Sequence, residues 1–152
     1  MRRIIITEPD RRRLETLLTS EFARVAGSAS YRDALSAELL RAQIVPPEDV
    51  PRGVVTMNST VVLRDLETGE RETYTLVFPQ DANIAEGRLS ILAPVGTAIL
   101  GERVGDEIHW LVPGGWRRLK IEKVVYDSDR VEAIVAVRDR RLSLSEKLAR
   151  IA

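Results

Sequence analysis

The chain has 152 residues, with Lys+Arg and Asp+Glu both at 23, an apolar fraction of 44% and aromatics at 5%. That length holds one ordinary domain with a small appendage, and the charge balance argues against general nucleic-acid or membrane binding, which shows as a basic excess. The sequence contains no Cys, which excludes disulfides, thiolate nucleophiles and Cys-ligated metals. The N-terminal MRRIII is basic, then apolar for too few residues to be a signal-peptide core or a membrane span. On that basis the chain is expected to be cytoplasmic.

Residues 7–45 read as two helices. Thr7 is a good N-cap, with Pro9 in the first turn and Asp10 three residues on. Leu14, Leu17, Leu18, Phe22 and Val25 then fall on one helical face, which predicts a helix from Glu8 to Val25. Gly27, Ser28, Ala29 and Ser30 break this pattern and form the expected tip of the turn. Ser30 with Asp33 repeats the cap signature, and Tyr31, Leu35, Leu39 and Ala42 make a second stripe. Two amphipathic helices joined by a small-residue turn predict a short antiparallel hairpin over residues 1–46. Neither is long enough to be stable alone in water, so each must pack on something. Val45-Pro46-Pro47-Glu48-Asp49-Val50-Pro51 is a linker by composition, and the domain boundary is placed there.

From Val54 the period becomes extended. Val54 to Met57 and Thr60 to Arg64 are β-branched runs, and Asp65 to Gly69 reads as a hairpin turn into a strand from Glu70 to Phe78. Pro79 ends that strand, and Gln80 to Gly87 is a polar loop. Leu89 to Ala93 is an apolar run stopped by Pro94, followed by a short helical turn from Val95 to Leu100. Gly101 and Gly105 can supply positive φ where the chain turns. A strand from Glu107 to Val112, the Pro113-Gly114-Gly115 turn and a last strand from Trp116 to Tyr126 complete residues 47–126. The whole is an α+β chain whose sheet is expected to be antiparallel. Residues 127–152 form an extension, with a strand expected at Val131 to Val137 and a short helix after Ser143.

The words MNS at 57–59, APVG at 93–96, LG at 100–101, VGD at 104–106 and PGG at 113–115 carry a resemblance. In this order they resemble the C-terminal domain of the Gre-type transcript-cleavage factors. They resemble still more closely the Rnk-like branch, regulators of nucleoside diphosphate kinase that bind RNA polymerase. The resemblance covers residues 4 to 126. It implies an FKBP-like β-domain of the Gre C-terminal type after the helical hairpin. It also implies RNA polymerase as the partner, at the rim of its secondary channel, with Leu92, Ala93, Pro94 and Val95 at the contact. Pro94 matches the family's Ser-Pro loop, whereas Leu92 and Ala93 replace its usual polar residues. Gre factors carry acidic residues at the tip of a long hairpin to hold a catalytic Mg²⁺, and such chemistry needs carboxylate ligands. Here the tip has none, and Glu21 and Asp33 are the nearest acids. A helix from Glu8 to Val25 would span only about 27 Å at 1.5 Å per residue, far short of a cleavage-competent prong. Competition with Gre factors without stimulation of cleavage is the expected outcome.

No catalytic constellation appears elsewhere. His109 stands without companions at metal-ligand spacing and reads as a strand residue in or beside the core. The runs Arg11-Arg12-Arg13, Arg117-Arg118 and Arg138 to Arg141 are interleaved with Glu and Asp and read as solvated faces. The glycines lack the Lys-Ser/Thr of a phosphate-binding loop. No enzyme activity, cofactor, metal, small-molecule substrate, membrane association or direct nucleic-acid contact is expected. Two rival readings are a prolyl isomerase of FKBP type, which needs an aromatic pocket this composition hardly supplies, and a self-associating adaptor held by the hairpin or the tail.

Overall fold

The computed structural model describes residues 3–21, 24, 29–112 and 114–126. Gly27 and Ser28 of the expected tip, Pro113, and the extension 127–152 with its expected strand, helix and Arg run lie outside the described residues.

Strand β1 (Ile5–Thr7) leads directly into helix α1 (Glu8–Leu18). Thr7 is extended (φ −76°, ψ 153°), and its hydroxyl accepts the amide of Asp10, while Pro9 occupies a position whose amide needs no partner. The helix stops at Leu18, well before the expected Val25. The apolar stripe runs on, but the hydroxyls decide. Thr16 donates to the Arg12 carbonyl at 3.0 Å, Thr19 to Thr16 at 3.0 Å, and Ser20 to Leu17 at 2.6 Å. Such local bonds compete with the helical ladder and end it there. Glu21 and Arg24 are again helical. Helix α2 (Ala29–Arg41) begins two residues earlier than expected, so Ala29 and Ser30, read as turn residues, already belong to it.

Strand β2 (Gln43–Val45) follows α2 and pairs with β1 in parallel, Ile5 opposite Gln43 and Thr7 opposite Val45. Val45, expected in the linker, is thus the last residue of a strand. A 3₁₀ turn at Pro47–Asp49 comes next, and Val50 packs with Ile5 and Val54 in a small buried cluster.

A five-stranded sheet follows. It contains β3 (Thr60–Asp65), β4 (Arg71–Val77), β5 (Arg88–Ser90), β6 (Glu107–Val112) and β7 (Gly115–Val125). The order across the sheet is β5-β4-β3-β7-β6. The pairs β3/β4, β3/β7 and β6/β7 are antiparallel, but β4 and β5 are parallel. The expected all-antiparallel sheet is corrected at that edge. Two 3₁₀ turns, Pro79–Asp81 and Ile84–Glu86, and Gly87 at φ +76° bring the chain back to run beside β4 in the same direction.

Val54 to Met57 is also not a strand. Only Val54 makes a bridge, to Arg103. Beyond it the Ser59 hydroxyl takes the Thr56 amide at 3.0 Å, and Asn58 adopts φ 66°, which curls the segment into a buried turn.

Helix α3 (Pro94–Ile99) packs on β6. Helices and sheet share one core. Ile4, Ile6, Leu14, Leu35 and Leu39 belong to the same cluster as Val61, Leu63, Leu76, Ile91, Ile99, Leu119 and Ile121. Within the apolar run after Arg3, Ile4, Ile5 and Ile6 are all buried. Among the described residues no helix is long and apolar enough to cross a membrane.

Candidate functional site

The candidate docking surface grows from the parallel edge of the sheet. Because β4 and β5 run in the same direction, their C-terminal ends, Val77 and Ser90, lie side by side. The Ile91 amide donates to the Val77 carbonyl at 2.9 Å, which extends the pairing one residue further. The chain then turns sharply. The Ala93 amide donates to the Ser90 carbonyl at 3.0 Å, and the Leu92 amide to the Ser90 hydroxyl at 3.0 Å. Ala93 is extended (φ −70°, ψ 151°), and Pro94 opens α3 in the position that best tolerates a missing donor. Thr97 locks the turn from the other side. Its hydroxyl donates to the Ile91 carbonyl at 2.7 Å and its amide to the Ala93 carbonyl at 2.9 Å.

Gly96 is required by this closure. A Cβ there would lie 3.1 Å from the Ser90 carbonyl carbon and 3.3 Å from the Ile91 Cα, with the Ser90 oxygen far inside contact distance. The outcome is a rigid loop with no charged side chain from Ser90 to Leu100. Of the four residues expected at the contact, Ala93, Pro94 and Val95 are half-buried and reach the surface. Leu92, only 6% exposed, faces the core, where Ile91 is fully buried. A stiff apolar surface of this kind loses little conformational entropy on docking.

A second polar feature lies on the sheet. Asp65, at the end of β3, accepts the amides of Glu67 and Thr68 at 2.8 and 3.1 Å and meets Arg117 Nε at 3.3 Å. Arg117 also donates to Glu72 at 2.9 Å, and the Tyr74 hydroxyl donates to Glu72 at 2.8 Å. The turn amides, with Arg117 behind them, hold the Asp65 carboxyl below its ordinary value. Burial, then Glu72, raises the Tyr74 phenol. This network fixes the β3–β4 hairpin and offers no site for a reacting group.

A group with a depressed folded pKa stabilises the fold above its unfolded value, about 3.9 for Asp, and loses that contribution as pH falls through the folded value. Asp65→Asn should therefore unfold at lower urea than the parent at pH 7. The gap should close as pH is lowered below about 4, as followed by urea midpoints across pH.

The remaining sequence candidates fall as follows. His109 is exposed in β6, opposite Arg118. Arg118 pairs with Glu107 at 3.6 Å. Arg11 pairs with Glu8 and Glu15, and Arg12 with Glu8. Arg13 instead lies over the Phe78 ring, 3.8 Å from its centroid. Gly101 and Gly105 both have positive φ, at 76° and 94°, and turn the chain between α3 and β6. Glu21 and Asp33 are exposed. Among the described residues no three His, Cys, Asp or Glu side chains gather as a metal site. The hydroxyls of Ser90 and Thr97 and the Arg13–Phe78 stack went unread in the sequence. A hydroxyl on each side of an apolar turn was the available signal for the first pair; for the stack there was none.

Comparison with known proteins adds two adjoining family matches. A family model described as "Transcription elongation factor, GreA/GreB, C-term" matches residues 49–126, and one described as "Rnk N-terminus" matches residues 2–45. The chain is 50% identical over 112 residues to the regulator of nucleoside diphosphate kinase of Escherichia coli strain K12, covering 74% of this chain and 80% of that protein. It is 39% identical over 93 residues to transcription elongation factor GreA of Nautilia profundicola, covering 61% of this chain and 57% of that protein. A solved structure described as a prokaryotic transcription elongation factor GreA/GreB from Nitrosomonas europaea is similar at 46% identity and a TM-score of 0.70. The match covers 83% of this chain and all of that one.

Proposed function

The chain belongs to the GreA/GreB family, in the branch with an Rnk-type N-terminus, and from that premise we propose that it is a non-enzymatic, cytoplasmic regulator of transcription that binds RNA polymerase. The β-domain, in the FKBP-like arrangement of Gre C-terminal domains, docks at the rim of the secondary channel through Ala93, Pro94 and Val95. The two helices form an antiparallel prong that occupies the channel mouth. The protein competes with Gre factors there and leaves transcript cleavage unstimulated. It needs no cofactor or small-molecule substrate.

The observation that carries this reading is the loop from Ser90 to Thr97: uncharged, closed by two hydroxyls and stiffened by Pro94, with Ala93 and Val95 packed on the core yet, like Pro94, partly exposed. The prong supports the second half. Its described first helix, Glu8–Leu18, spans about 16 Å. The tip residues Gly27, Ser28, Ala29 and Ser30 carry no carboxylate to hold Mg²⁺.

The test is a pull-down with core RNA polymerase, followed by competition with a Gre factor in a transcript-cleavage assay. Binding with inhibition of Gre-stimulated cleavage is expected. Ala93→Asp, which places a charge on the contact, should weaken binding about tenfold or more, since burying an unpaired carboxylate costs well over 1.4 kcal/mol. Failure to bind core polymerase overturns the reading, and binding that accelerates cleavage overturns the argument from the tip.

A further inference from the structure

The docking loop has a physical shortcoming: nothing on it carries charge, so apolar contact alone cannot set the register of a partner or speed its arrival. The structure places a charge at the same end of the sheet. Phe78 follows Val77 just as Ile91 follows Ser90, and the two strands end side by side. Phe78 is buried, only 3% exposed, and Arg13 of α1 lies across its ring. Arg13 therefore crosses from the helices to the same end of the sheet from which the loop emerges.

Within the Arg11–Arg13 run the charges are differently committed. Arg11 and Arg12 are neutralised by Glu8 and Glu15 on their own helix. Arg13 has no carboxylate partner among the described residues. Its guanidinium is held in place by the aromatic face, a contact that fixes the side chain while leaving its N–H donors for another acceptor. Beside it a shallow groove is lined by Arg12, Thr16, Leu17, Ser20 and Gln80.

We propose that Arg13 extends the docking surface: the protein surface that receives Ala93 and Pro94 carries, next to its apolar contact, an Asp or Glu that pairs with the Arg13 guanidinium. This rests on the polymerase-binding reading above and deepens it. The occupant is an acidic segment of the protein partner. A pre-oriented guanidinium forms a bidentate pair with a carboxylate at little entropic cost. Its position at the sheet end from which the uncharged loop emerges makes it the group that steers association.

The experiment measures association and dissociation of the full chain with core RNA polymerase at several salt concentrations, for the parent, Arg13→Gln, Arg13→Lys and Ala93→Asp. Thermal melting checks that each variant is folded. Arg13→Gln should weaken binding about five- to tenfold at low salt, mostly through a slower on-rate, and should flatten the salt dependence. Arg13→Lys keeps the charge and should restore the salt dependence. A merely structural Arg13 would lower the melting temperature and leave that dependence unchanged. If Arg13→Gln binds like the parent at all salts while Ala93→Asp does not bind, this inference is overturned and the docking reading stands. If the parent itself fails to bind, both fall. Arg13-dependent binding of a single-stranded oligonucleotide, with polymerase affinity unchanged, also overturns the inference by assigning the charge to a nucleic acid.

Discussion

Replacing Gly96 with alanine should destabilise the protein by about 2 to 4 kcal/mol and abolish polymerase binding with it. On helix propensity alone the substitution should help, by about 1 kcal/mol. The steric term has the opposite sign and is larger. The added methyl would sit 3.1 Å from the Ser90 carbonyl carbon and 3.3 Å from the Ile91 Cα, and would overlap the Ser90 oxygen. These are backbone atoms that cannot rotate away. The Ser90 oxygen is already held by the Ala93 amide at 3.0 Å, so retreat breaks the turn that presents Ala93 and Pro94. Urea midpoints and polymerase affinity should therefore fall together. Gly114→Ala, where the new methyl meets nothing within 4 Å, is the neutral control. An unchanged midpoint for Gly96→Ala would mean that the loop is looser than its hydrogen bonds indicate.

The second large effect lies where helices and sheet join. Leu14 is the buried residue of α1, with no exposed surface, in a core shared with Leu35, Leu39, Leu76 and Ile91. Leu14→Ala should cost about 3 to 5 kcal/mol, the range for a leucine deleted from a site that cannot collapse around the void. Leu40, 88% exposed on α2, supplies the contrast, and Leu40→Ala should change the midpoint by less than about 0.5 kcal/mol. Because the core is common, the loss should appear as one earlier transition by both far-UV circular dichroism and Trp fluorescence. Two separated transitions would show that the helices are only loosely attached.

What is legible in the sequence is whatever short-range chemistry decides. The Thr7 cap, the β6 limits at Glu107 and Val112, and the turn between α3 and β6 each depend on a handful of adjacent residues. The end of α1 was misread because the leucine stripe continues past the hydroxyls of Thr16, Thr19 and Ser20, and local hydrogen bonding outweighed periodicity. Pairing was hidden for a different reason. β1 and β2 are too short to show any period, and the parallel seat of β5 beside β4 is set by how the intervening turns fold back. The site divides in the same way. Pro94 and its apolar neighbours announced the loop, whereas the Arg13–Phe78 stack joins two segments that no sequence spacing connects.

The pairing of β1 with β2 has a mechanical meaning. Each helix is fastened at its root, one through Ile5–Thr7 and the other through Gln43–Val45, and the two roots are clasped to each other above Val50 and Val54. A helical pair so clamped, and sharing its core with the sheet, is built to move with the sheet and not to swivel on it. The helices and the apolar corner at Pro94 therefore turn together as one body.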